Sequence, residues 1–220
     1  MPVNTYSYNK IKTELEGANI TLVAVSKTKP VEDILELYEL GQRDFGENYV
    51  QELVDKQASL PTDIRWHFIG HLQSNKVKYI APFVHLIHGV DSLKLLKEIN
   101  KEAGKNNRVI DVLLQVYIAQ EETKFGLDEE ELKIVLNESE SLNHISIKGL
   151  MGMASFSDDL QKVRGEFRNL KTLFNKYASL STINHQLSTL SMGMSGDYKA
   201  AIEEGSTMVR IGSLLFGARS

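Results

Sequence analysis

The chain of 220 residues fits one domain, and its net charge of −4 gives no global positive field that would draw it to nucleic acid. A hydrophobic share of 42 % fills a sizeable core, yet no run reaches the roughly 18 uninterrupted apolar residues of a membrane helix. Cysteine is absent, which excludes a disulfide framework, and residues 1–16 lack the apolar stretch of a secretory signal, so the cytoplasm is the expected location.

Residues 1–16 read as a helix ahead of the first strand. Eight strand-like runs follow, at 22–26, 43–46, 66–70, 86–90, 109–118, 145–151, 189–192 and 208–211. Several are continuous apolar runs, as expected of strands buried on both faces of a parallel sheet. Helical periodicity fills 31–40, where Gly41 stands at the end, and 92–103, where Gly104 follows. It returns over 128–142, with acidic residues in the first turn where the helix dipole favours them, and over 164–177. Eight strands alternating with helices suggest a closed barrel or an open doubly wound sheet, and the count favours the α/β class with a single (β/α)8 TIM barrel spanning 1–220.

In such a barrel, function sits where strands end and the following loops begin. Lys27 stands at the end of the first strand, in Val25-Ser26-Lys27-Thr28-Lys29-Pro30. Its amine can point into the mouth, and burial or the neighbouring charge of Lys29 would help it lose the proton that a Schiff base requires. A solvated loop lysine is the plain alternative. After strand seven comes Leu190-Ser191-Met192-Gly193-Met194-Ser195, and after strand eight Gly212-Ser213 opens a short helical turn. Loops after strands seven and eight frequently build a phosphate site. Gly212 lets the backbone approach an anion, Ser213 adds a hydroxyl, and Ser191 or Ser195 can donate from the neighbouring loop. Ordinary turn chemistry would need the same residues. Arg210 lies within the last strand, where it needs either a carboxylate partner or a ligand acceptor such as a pyridine nitrogen.

Other groups carry less. His67 and His71 are four apart, but Gly70 interrupts them and no Glu completes a zinc motif, so no metal site is expected; both read as mouth residues with hydrogen-bonding roles. His85 and His88 read as packed or hydrogen-bonded residues at the core edge. Lys124-Phe125-Gly126 reads as part of the mouth loop after strand five.

Taken in order, these segments carry a resemblance. Val23 to Pro30, Phe45 to Glu52, Trp66 to Lys76, Lys148 to Met153, Leu190 to Ser195 and Gly205 to Gly212 together resemble the YggS/PROSC-type pyridoxal phosphate homeostasis proteins, whose fold is that of the alanine racemase N-terminal barrel. The resemblance implies pyridoxal 5'-phosphate (PLP) held as an internal aldimine on Lys27. It implies Arg210 at the pyridine nitrogen, Ser191, Gly212 and Ser213 at the phosphate, and Asn48 near the ring. Family members are thought to balance free PLP and amino-acid pools, with amino acids or PLP-dependent apo-enzymes as further partners and little or no turnover. A monomer is expected. The second, β-rich domain with which alanine racemase supplies a catalytic tyrosine has no counterpart expected past residue 220. A weak one-face amino-acid racemase is the alternative, and a Schiff-base aldolase acting on a sugar phosphate ranks third.

Overall fold

The computed structural model describes residues 3–119, 125–179 and 187–217. Eight parallel strands close into a barrel in sequence order. They are β1 (Thr21–Val25), β2 (Asp44–Glu47), β3 (Arg65–Phe68), β4 (Leu86–Val90), β5 (Ile110–Gln115), β6 (Ile145–Met151), β7 (Thr189–Met194) and β8 (Met208–Ile211). The ring is completed by β8 pairing with β1, Ala24 opposite Ile211. Helix α1 (Thr5–Gly17) precedes β1; α2 (Val31–Glu39), α3 (Val50–Ser59), α4 (Val77–Ile80), α5 (Leu93–Lys105), α6 (Glu129–Ser139), α7 (Leu160–Ala178) and α8 (Tyr198–Glu203) fill the crossovers, and α9 (Ser213–Phe216) follows β8. None of the described helices is long and apolar enough to cross a membrane.

Period-2 alternation sorts the strand residues. Leu22, Ala24, Phe45, Trp66, Phe68, Ile87, Val112, Leu114, Ile147, Leu190 and Val209 face the helices and form the main core. Val23, Leu86, Leu113, Met151 and Met208 form a separate, smaller cluster. The barrel interior departs from the layers of branched apolar residues usual in this fold. Asp44, His67, His88, Ser191 and Arg210 are all buried there.

Local sequence explains most boundaries. Asp128 caps α6 in a reciprocal capping box with Glu131. Asp159 accepts from the amides of Gln161 and Lys162, so α7 starts four residues earlier than its periodicity suggested. The fifth strand ends at Gln115 rather than 118, because Tyr117 turns to bond the carbonyl of Leu127. Helices α3 and α4 were not visible as periodic stretches. Lys124 lies outside the described residues.

Candidate functional site

The candidate site lies at the C-terminal ends of β1, β2, β7 and β8, on one side of the barrel mouth. Lys27 is half-buried two residues past β1. Thr28 beside it sits in the left-handed region at φ 63°, and its amide donates to Glu52 Oε1 at 2.6 Å. The Lys29 ammonium donates to the carbonyl of Phe216 at 2.8 Å, which ties this loop to the end of α9. Lys29 thus serves to fasten the segment that carries Lys27.

Beneath that segment lies a buried charge network. Lys56 of α3 donates to Glu47 Oε1 at 2.8 Å, to Glu52 Oε1 at 2.7 Å and to the carbonyl of Ser26 at 2.8 Å. The Ser26 hydroxyl donates to the same Glu47 oxygen at 2.6 Å. Burial raises the Glu47 carboxyl above its ordinary range despite the opposing charge of Lys56. Its Oε2 is buried with no hydrogen-bond partner.

Across the β1–β8 seam, Gly212 packs on Val25. A Cβ at Gly212 would lie 3.3 Å from both Val25 Cβ and the Val25 carbonyl oxygen. The Gly212 amide donates to Ser195 Oγ at 3.2 Å. Gly212, Ser213 and Ser195 therefore come together at the rim beside the Lys27 segment. Ser191 does not join them. It is fully buried, and its hydroxyl oxygen accepts from Arg210 Nη1 at 2.6 Å. Arg210 also donates to the carbonyls of Ser191 at 3.0 Å and Gly152 at 3.2 Å. Burial pulls its guanidinium down to about 10, with Asp197 opposing, so it remains a cation at neutral pH. Asn48 lies against Gly70, where an added Cβ would come within 2.4 Å of the Asn48 carbonyl oxygen and 2.9 Å of its side-chain oxygen. Only glycine permits this approach.

The histidines divide between the two ends. His71 is exposed at the mouth, bonded to Asp91 at 3.1 Å and stacked on Phe125. His67 is not a mouth residue. It is buried, with Nε2 bonded to Asp44 Oδ1 at 3.0 Å and Nδ1 bonded to His88 Nε2 at 2.9 Å. His88 Nδ1 in turn lies 3.3 Å from Ser191 Oγ. At the opposite, N-terminal face a cavity of about 370 Å³ opens, lined among others by Asp44, Arg65, His67, His85, Asp111 and Lys148. Asp44, His67 and His85 bring potential ligand atoms within 4.8 Å of one another. Arg65 already binds both Asp44 oxygens, and both ring nitrogens of His67 are engaged, so a cation would have to break those bonds. Sequence reasoning passed over Asp44 and placed His67 at the wrong depth, whereas His88 is the packed, hydrogen-bonded residue its strand suggested. The available signal was a polar residue at an inward position of each strand.

The closed parallel barrel carries Lys27 after its first strand and Gly212-Ser213 after its last. The chain matches the family model of the alanine racemase N-terminal domain over residues 5–220. It is 46 % identical to the pyridoxal phosphate homeostasis protein of Aquifex aeolicus over 90 % of this chain and 86 % of that one. It is 40 % identical to the one from Haemophilus influenzae, over 96 % and 92 %. The chain thus belongs to the pyridoxal phosphate homeostasis protein family. Its structure is similar to PipY of Synechococcus elongatus with PLP bound, at TM-score 0.88 and 35 % identity over 96 % of this chain and 99 % of that one. Alanine racemase of Clostridium difficile shares the fold, at TM-score 0.79 and 16 % identity over 98 % of this chain and 59 % of that one.

Proposed function

We propose that this chain binds PLP covalently through Lys27 and serves in PLP and amino-acid homeostasis. One observation carries the reading. The register that sets Ala24 opposite Ile211 brings the Lys27 segment alongside Gly212 and Ser213, on the mouth side of the buried cation Arg210. An amine, a glycine turn with hydroxyls and a buried donor are what an aldehyde, a phosphate and a pyridine nitrogen would respectively require.

Lys27 would hold PLP covalently through its amine. Gly212 and Ser213 hold the phosphate, with Ser195 beside them, and Asn48 borders the ring. Ser191 contributes by fixing Arg210. Bound PLP supplies an electron sink. Arg210 keeps its own proton and can only donate, so it leaves the ring nitrogen unprotonated and that sink weak. This favours holding PLP over turning substrates over. The reading has the chain act in the cytoplasm as a monomeric PLP-binding barrel, exchanging PLP with amino acids or PLP-dependent apo-enzymes.

The test is to incubate the protein with PLP, record its visible absorption, reduce with borohydride and map the adduct by peptide mass spectrometry. A band and an adduct on Lys27, both lost in Lys27→Ala, are expected. An adduct on another lysine, or none, would overturn the assignment. Sustained racemisation of an amino acid by the pure protein would replace the homeostasis reading with that of a weak racemase.

A further inference from the structure

The polar groups inside the barrel form one continuous line. Arg210 Nη1 reaches Ser191 Oγ, which reaches His88 Nδ1. His88 Nε2 reaches His67 Nδ1, and His67 Nε2 reaches Asp44 Oδ1. The line starts under the mouth on β8, crosses by way of β7, β4 and β3, and ends on β2 at the floor cavity. Apart from Asp44 at its end, every member has 4 % relative exposure or less.

Its direction follows from chemistry. Asp44 is a carboxylate: burial alone would raise it, but hydrogen bonds from Arg65 and His67 hold it well below the usual range. It can only accept, so His67 carries its proton on Nε2. With one proton on each imidazole, His67 Nδ1 accepts, His88 donates through Nε2, and His88 Nδ1 accepts from the Ser191 hydroxyl. The Ser191 oxygen is then left to accept from Arg210, which can only donate. Every bond points the same way, from guanidinium to carboxylate. Burial pushes His88 well below the ordinary histidine range, which agrees with a neutral ring.

Satisfying buried groups would not require such a line; a barrel interior filled with apolar side chains would leave none to satisfy. The geometry points to a role for it. We propose that Asp44, His67, His88 and Ser191 are positioning residues for Arg210, so that the state of the barrel floor is felt at the mouth. The link from Arg210 to PLP rests on the function proposed above; the link from Asp44 to Arg210 does not.

The test uses the full chain in two forms. Without PLP, 15N spectra of the histidine and arginine side chains read the line directly. Protonated Nε2 and unprotonated Nδ1 are expected on both His67 and His88. Asp44→Asn should shift the Arg210 side-chain signals, whereas Asp111→Asn, which lines the same cavity off the line, should not. His67→Phe cuts the line without removing the carboxylate and serves if Asp44→Asn does not fold. With PLP loaded, Asp44→Asn or His67→Phe should displace the visible band while the adduct on Lys27 remains. Arg210 signals unmoved by both substitutions, or protons on the Nδ1 atoms, would overturn the proposal. A wild-type chain that takes up no PLP would instead refute the proposed function, and the Arg210 signals would still decide this one.

Discussion

Lys56→Met is expected to destabilise the protein by about 3–5 kcal/mol, because it leaves a buried carboxylate without its cation. Glu47 is fully buried and already has one oxygen without a partner. Its other oxygen depends on Lys56 and the Ser26 hydroxyl. Removing the ammonium leaves one hydroxyl against the full desolvation of a negative charge. The damage spreads to the mouth. Glu52, freed from Lys56, holds the Thr28 amide less firmly, and Thr28 is the left-handed residue next to Lys27.

The loss should depend on pH. A carboxyl whose folded pKa is raised contributes stability that is complete below its unfolded pKa and lost as pH rises through the folded one. Glu47 is raised already, chiefly by burial, and loss of the opposing Lys56 charge raises it further. The deficit of Lys56→Met relative to wild type therefore shrinks as the pH is lowered. Urea denaturation at pH 8 and pH 5 checks this, and an equal deficit at both would refute it. Glu47→Leu with Lys56→Met should recover most of the loss, since replacing both members of a buried pair by apolar groups is often neutral.

The same pair shows why parts of the fold were illegible in the sequence. Strands β1, β4, β5 and β6 announced themselves as apolar runs, and α2, α5, α6 and α7 as amphipathic stripes. Helix α3 offers Leu53 to the core and then buries a lysine, so its stripe breaks where the fold needs it. Only the position of Glu47 on a neighbouring strand explains that lysine, and such a pairing is tertiary. The site divides similarly. Lys27, Arg210, Gly212 and Ser213 could be picked out because each stands at or near a strand end. That Ser191 serves Arg210 and not the rim depends on which way it faces inside the barrel. The line from Asp44 to Arg210 joins five strands, and the register shifts between β7 and β8 where Ser191 meets Arg210. No local pattern predicts such offsets.

Gly149→Ala is expected to be the most damaging single-methyl substitution, costing more than about 4–5 kcal/mol or preventing folding. Gly149 pairs with Thr189 across the β6–β7 seam, and an added Cβ would stand 1.7 Å from the Thr189 carbonyl oxygen. Backbone cannot swing aside as a side chain can, so the strands must part where their ladder binds them. Two residues further along β7 is Ser191, which pairs with Met151 and holds Arg210. A chain that folds despite the methyl should therefore also lose definition at Arg210. Gly165→Ala is the control. Gly165 lies within α7, and nothing stands within 4 Å of an added Cβ there. It should gain roughly 0.5–1 kcal/mol, as alanine does over glycine inside a helix. Thermal and urea unfolding of the two variants make the comparison. Gly149→Ala as stable as wild type would refute the close pairing of Gly149 with Thr189, and with it the route by which Ser191 reaches Arg210.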